Sequence, residues 1–207
     1  MINNNNYYYY KKELSPDICK QIISVGNAAQ EEVAIIGQYG SEQLKENELD
    51  LLKQKRNSNI TWLGEQWLYD IIDHYVKNAN QQAGWNLDVH WFESIQFTKY
   101  KLNQHYTWHQ DCWEKVYGDE AHPNFRGKIR KLSCIISLSD PEDYKGGDLD
   151  FSFYNSPEEE TSIHKCEEIK PQGSIVVFPS YTWHRVQPVT EGTRYSLVAW
   201  GLGNPYL

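Results

Sequence analysis

The feature that most constrains this chain is a change of hydrophobic period at Gly84. Before it, apolar residues recur at helical spacing. Ser15-Pro16-Asp17 reads as a helix start, with a hydroxyl cap, proline in the first turn and an acid beside it. Ile18, Ile22 and Val25 follow on one face, which predicts a helix to about Ala29. Trp67, Leu68, Ile71, Ile72, Tyr75, Val76 and Ala79 form a second stripe, predicting a helix from about Leu63 to Ala83. After Gly84 the spacing alternates. Strands are predicted at Phe92–Tyr100, Ile129–Ser139, Leu149–Tyr154, Ser174–Pro179, His184–Pro188 and Arg194–Gly201. Asp140-Pro141, Gly146-Gly147, Pro171-Gln172-Gly173 and Glu191-Gly192 punctuate them as turns. Helices followed by a run of short strands predict an α+β domain whose core is a double-stranded β-helix, or jelly roll, with the N-terminal helices packed on one sheet.

At 207 residues, with 40% hydrophobic content, 8 Trp and 15 Tyr, the chain can build one substantial core. We read residues 1–13 as a flexible N-terminal arm, its Asn/Tyr-rich part a frayed arm or an edge strand, and 14–207 as a single domain. Residues 37–55 read as a loop or short helix. The net charge of -8 argues against a nucleic-acid partner, because phosphate-binding proteins carry a basic face. No stretch approaches the ~20 apolar residues of a membrane helix. Cys19, Cys112, Cys134 and Cys166 form no CxxC pair, which predicts reduced thiols and a cytoplasmic setting; Met1 to Tyr10 has Asn and Tyr in place of a basic start and an apolar run, which predicts no signal peptide.

The chemistry concentrates in two places. His109-Gln110-Asp111 puts an imidazole and a carboxylate two residues apart, which in a strand or at its exit face the same side. His184, opening a predicted strand, is the candidate third ligand. Two histidines and one carboxylate with open positions is the ligand set of non-haem Fe(II) oxygenases. A lone His-x-Asp is a common surface pair, so the case for a metal rests on Arg194, ten residues after His184. A guanidinium grips a carboxylate with two parallel hydrogen bonds. A dicarboxylate chelating the metal at one end needs such an anchor at the other. Ser196, on the same strand face, and the Tyr100 phenol are candidate companions.

These residues resemble the 2-oxoglutarate/Fe(II)-dependent dioxygenase superfamily, and within it the prolyl 4-hydroxylase branch. The resemblance runs through Glu93-Ser94-Ile95-Gln96, Tyr100, Gln104, Tyr106, His109 and Asp111. It continues through Leu132-Ser133-Cys134, Leu138, Asp140 and Gly146-Gly147-Asp148-Leu149, and closes with His184-Arg185-Val186-Gln187-Pro188 and Arg194-Tyr195 through Trp200. Arg56-Asn57-Ser58 before Trp62-Leu63 is similar to the Arg-x-Ser loop of prolyl hydroxylases. The 140–144 stretch looks closer to a bacterial offshoot with poorly defined substrates.

The resemblance implies Fe(II) on His109, Asp111 and His184, and 2-oxoglutarate reaching Arg194, Tyr100 and Ser196. It also implies O2 and ascorbate as further requirements. The reaction it implies is hydroxylation of a proline in a peptide or protein, coupled to decarboxylation of 2-oxoglutarate to succinate and CO2. Arg56, Ser58, Trp62, Trp108 and Trp200 are candidate substrate contacts, with the 56–61 segment a candidate lid. Trp183 also flanks a ligand and is a candidate pocket wall. Arg126, Lys128 and Arg130 read as a small basic cluster near the site. The expected assembly is a monomer or weak dimer. The same machinery acting on a free amino acid or small metabolite is the first alternative; a non-catalytic metal- or ligand-binding jelly roll is the second.

Overall fold

A computed structural model describes residues 6–34, 52–112, 115–153 and 163–206. Most of the 37–55 stretch and the end of the predicted Leu149–Tyr154 strand lie outside them; within them, residues 52–55 are helical.

The first helix, α1 (Pro16–Ala28), begins where its cap predicts: Ser15 Oγ accepts a hydrogen bond from the Ile18 amide at 3.3 Å. The second, α2, runs Gln66–Gln82 and starts three residues later than its apolar stripe suggests. Leu63 instead ends a strand, Asn59–Leu63, whose β-branched Ile60 and Thr61 pair with Thr98 and Phe97. Gly64 separates the strand from the helix.

Fifteen strands among the described residues are numbered in chain order: β1 Tyr8–Tyr10, β2 Glu32–Val33, β3 Arg56–Asn57, β4 Asn59–Leu63, β5 Trp91–Phe92, β6 Ile95–Tyr100, β7 His105–His109 and β8 Ile129–Ser137. They continue with β9 Tyr144–Gly146, β10 Leu149–Ser152, β11 Ile163–Lys165, β12 Ile175–Pro179, β13 Trp183–Val186, β14 Val189–Gly192 and β15 Arg194–Gly203. The larger sheet has the order β1-β12-β8-β15-β6-β4-β2, with β5 also pairing β15. The smaller one has the order β11-β10-β13-β7-β3, and β14 pairs β9. All the strand pairs are antiparallel. The N-terminal tyrosines are not a free arm: Tyr8, Tyr9 and Tyr10 pair with Val177, Val176 and Ile175, and β1 is an edge strand.

Period-two alternation divides the core in two. Cys134 and Ile136 of β8, Ile175 and Val177 of β12, and Leu197 and Ala199 of β15 point to one face of the large sheet. There they pack with Ile22 of α1 and Leu68, Ile72 and Val76 of α2. The intervening residues Ile135, Val176, Phe178 and Val198 point into the sandwich, with Leu149, Phe151 and Val186 of the smaller sheet. Full burial of each large aliphatic or aromatic side chain contributes ~1.5–3 kcal/mol. Helix α1 approaches β6 so closely that a Cβ on Gly26 would stand 2.4 Å from the Phe97 ring. The polar residues of β15, Arg194 and Ser196, alternate into the space between the sheets.

Candidate metal and 2-oxoglutarate site

His109 closes β7 and His184 lies opposite it on the neighbouring strand β13. The chain turns out of β7, and the amides of Asp111 and Cys112 both donate to the carbonyl of Ser180 at 2.9 Å. That turn carries Asp111 back over the two histidines. One donor atom from each of the three residues lies within 4.8 Å of the others. Asp111 and His184 are buried and His109 is nearly so.

The imidazoles are set by their backbone. Nδ1 of His109 is 2.8 Å from Thr107 O, and Nδ1 of His184 is 2.9 Å from Thr182 O. A carbonyl can only accept, so each Nδ1 carries the hydrogen and each Nε2 is the nitrogen left to face a metal. Those Nε2 atoms lie 3.7 Å from Asp111 Oδ1 and 3.5 Å from Asp111 Oδ2, respectively. Burial, aided by the neighbouring His184, pushes the His109 imidazole well below its ordinary pKa and keeps it neutral. Burial alone would raise the Asp111 carboxyl; the two imidazoles and Arg130 outweigh it and hold it at about 2. Two imidazole nitrogens and one carboxylate, with outer hydrogen bonds orienting the rings, fit a divalent first-row metal.

The cleft continues from these ligands to Arg194, which is 2% exposed. Its guanidinium lies 5.5 Å from the Tyr100 ring centre and 3.4 Å from Ser196 Oγ. No carboxylate among the described residues pairs with it. A buried cation with an open fork at the far end of a metal pocket is built to take an anion.

The structure also separates the candidates. Tyr100, Ser196, Trp200 and Arg56 line the cleft with the triad. Ser58 does not; fully buried, it accepts from Arg56 Nε at 3.2 Å. Trp62 stands at the surface, 42% exposed and 6.4 Å from the Trp200 ring. Trp108 and Trp183 are not among the residues that line the cleft; alternation turns them away from the ligands beside them. Trp108 instead carries the Arg185 guanidinium 4.7 Å from its ring centre. The 56–61 segment is no free lid: β3 pairs with β7 and β4 with β6. The basic cluster dissolves as well. Arg130 forms a two-pronged pair with Glu93 at 2.6 Å and lies 3.8 Å over Trp200; Arg126 donates to Ala121 O, and Lys128 approaches His90.

Sequence reading did not assign site roles to Tyr106, Gln96, Ile135, Val186 and Val198, all of which line the cleft. Tyr106 stacks on His109 with ring centres 3.4 Å apart. Ser133 was also missed; its hydroxyl donates to Asp111 Oδ2 at 2.7 Å. Period two applied backward from His109 through Thr107 gives no hint of Tyr106, whose contact arises from the bulge between His184 and Val186 and the irregular strand end.

A jelly roll in which neighbouring strands of the smaller sheet bring two histidines and an aspartate together, with a buried guanidinium from the larger sheet beyond them, has the donor set of an oxygenase-type metal site and an anchor for an anion. Residues 95–201 match the family model described as "2OG-Fe(II) oxygenase superfamily", and the chain belongs to that superfamily. A PKHD-type hydroxylase of Hyphomonas neptunium is 41% identical over 70 residues, covering 33% of this chain and 27% of the relative. The chain spans between 27% and 42% of the length of the curated relatives it matches first. The viral collagen prolyl hydroxylase of Paramecium Bursaria Chlorella virus-1, solved with 2OG, superposes with a TM-score of 0.65 at 22% identity, covering 99% of both chains. A Pseudomonas putida prolyl-4-hydroxylase superposes with a TM-score of 0.63 at 21% identity, covering 95% of this chain and 92% of that one. These two share the fold. No helix among the described residues is long and apolar enough to cross a membrane.

Proposed function

We propose that this protein hydroxylates proline in a peptide or protein, coupling the reaction to oxidative decarboxylation of 2-oxoglutarate. The observation that carries this is the continuous cleft joining His109, Asp111 and His184 to Arg194. The hydroxylase relatives and, among the structures that share the fold, the viral and Pseudomonas putida prolyl hydroxylases favour proline as the target. When bound, ferrous iron and 2-oxoglutarate supply the oxidising chemistry with O2. The chain supplies the rest. His109, Asp111 and His184 hold three metal positions and leave the others open. Arg194, with Ser196 and Tyr100, takes the distal carboxylate of 2-oxoglutarate. Ile135, Val186 and Val198 keep that end apolar, which strengthens the charge-assisted bonds. Trp200 closes one wall, held by the Arg130 guanidinium.

Ascorbate serves in this reading as the reductant that keeps the iron ferrous. The protein is a monomer or weak dimer in the cytoplasm, where its four free thiols suit a reducing compartment. The test is incubation of proline-rich peptides with protein, Fe(II), 2-oxoglutarate and ascorbate, read by mass. A gain of one oxygen on proline, absent with His184→Ala, is expected. Succinate formation with no peptide oxidised would move the reading to a small-molecule substrate. Failure to bind metal would remove the enzyme reading altogether.

A further inference from the structure

The cleft holds a second buried cation. Arg56, on edge strand β3 of the smaller sheet, is 9% exposed and lines the same cleft as the triad. Arg194 enters from the larger sheet, so the two guanidiniums come from different sheets. Arg56 lies 4.6 Å from the ring centre of Tyr106, the residue stacked on His109. Its Nε donates to Ser58 Oγ. Its remaining N–H groups meet no carboxylate among the described residues.

A guanidinium is always protonated, and removing it from water without a counter-ion is costly. Arg130 is compensated by Glu93, and Lys99 by Glu31, but Arg56 has no such carboxylate among the described residues. Within the cleft, Asp111 is the carboxylate set against Arg56 and Arg194. A ferrous ion adds two positive charges and 2-oxoglutarate two negative ones. The loaded cleft is therefore left with one uncompensated positive charge, and the group without an assigned anion is Arg56.

Resting on the hydroxylase reading, we propose that Arg56 binds a carboxylate of the substrate, so that the protein selects substrates bearing one close to the carbon that is oxidised. The stack of Arg56 on Tyr106 and of Tyr106 on His109 gives the reason for "close": an anion on Arg56 stands one aromatic ring away from a metal ligand. The Ser58 hydrogen bond fixes one edge of the guanidinium and leaves its other edge as the two-pronged face that matches a carboxylate. An acidic side chain neighbouring the target proline and the α-carboxylate of a free amino acid share this chemistry.

The experiment compares matched proline peptides carrying Asp or Glu beside the proline with their Asn or Gln counterparts, together with free L-proline. Binding is measured by calorimetry on protein loaded with Mn(II) and 2-oxoglutarate, and oxidation separately by mass. Wild-type protein is expected to bind the acidic ligands at least tenfold more tightly. Arg56→Gln should erase that preference while changing 2-oxoglutarate affinity less than threefold, and Arg56→Lys should restore part of it. Tightest binding by L-proline would place the carboxylate on a free amino acid; tightest binding by acidic peptides would place it on a side chain. Equal binding of acidic and neutral ligands by wild-type protein overturns the proposal whether or not the variants fold. So does an Arg56→Gln protein that loses 2-oxoglutarate and keeps the charge preference, because Arg56 then holds the co-substrate. Arg56-dependent binding of acidic ligands with no oxygen gained on proline leaves the anion contact standing and removes proline as the target.

Discussion

The Ser133 hydroxyl donates to Oδ2 of Asp111 at 2.7 Å, and lies 2.9 Å from the hydroxyl of Ser180. All three side chains are buried. Ser180 also gives its carbonyl to the amides of Asp111 and Cys112. The carboxylate of the metal site is thus fixed in rotation by one hydroxyl and in position by a backbone pair.

Outer hydrogen bonds of this kind commonly govern metal affinity by about 10–100-fold when removed. Ser133→Ala is expected to weaken Mn(II) or Co(II) binding by about tenfold, with the circular dichroism spectrum of the apo-protein unchanged. Ser133→Thr, which keeps the hydroxyl, should recover most of the affinity. Equal metal affinity in wild type and Ser133→Ala would show that the carboxylate needs no such guide.

The turn at Gly146-Gly147 places its backbone against Arg194, the proposed 2-oxoglutarate anchor. Gly147 has φ of +61°, and a Cβ there would stand 2.8 Å from Arg194 Cδ and 3.0 Å from Val189 Cγ2. An alanine is therefore strained and also pushes on the stem of Arg194. Gly147→Ala is expected to lower 2-oxoglutarate affinity severalfold while sparing metal affinity. Arg194→Ala, which removes the guanidinium, should lower it tenfold or more, in line with the ~1.5–3 kcal/mol of hydrogen bonds to a charged group. Calorimetric titration of 2-oxoglutarate into the Mn(II)-loaded proteins ranks the two variants, and the reverse order would contradict this account.

How much of this was legible in the sequence depended on how local each relationship is. The His109–Asp111 pair could be read because both residues lie within one turn of chain, and the helix cap at Ser15 because it is set by its own next three residues. The large-sheet alternation followed from period two alone. Trp108 and Trp183 are not among the residues that line the cleft, because the alternation that turns a ligand inward turns its neighbour outward. The apolar spacing of Leu63 fits α2, while its pairing with Ile95 depends on a strand some thirty residues away. Ser133, Tyr106 and the Glu93–Arg130 pair escaped for the same reason: each takes its meaning from register between strands distant in sequence. Arg56 looked like a loop residue because nothing local shows that β3 joins the edge of the smaller sheet.

The Glu93–Arg130 pair supplies a stability prediction. Both side chains are nearly inaccessible, Tyr117 adds a 2.8 Å hydrogen bond to Glu93 Oε1, and Arg130 packs 3.8 Å over Trp200. Taking away one partner of a buried pair leaves a charge without compensation, at a cost of about 3–5 kcal/mol. Glu93→Gln is expected to lose stability in that range by urea denaturation. The Trp200 wall should loosen with it, visible as a red shift of tryptophan emission in the still-folded protein. A loss below about 1 kcal/mol would mean that water reaches Arg130.

The turn that follows Gly147 also sets a pH dependence. Asp148 lies 2.8 Å from Lys165 Nζ and 3.1 Å from Lys170 Nζ, bridging the start of β10 to β11 and the short turn after it. Burial alone would raise its carboxyl, but hydrogen bonds from the two ammonium groups offset this and hold it below its ordinary value. A carboxyl whose pKa is depressed on folding binds a proton more readily in the unfolded chain, so falling pH favours unfolding. The stabilisation is present in full above the unfolded value near ~3.9 and is lost as pH falls through the lower, folded one. Asp148→Asn should therefore be less stable than wild type by roughly 1 kcal/mol at neutral pH, a size typical of a partly exposed ion pair. The two melting curves should converge as the pH is taken from about 5 toward 3, the carboxyl range. A difference in Tm that stays constant across that range would assign the effect to the turn's shape and not to its charge.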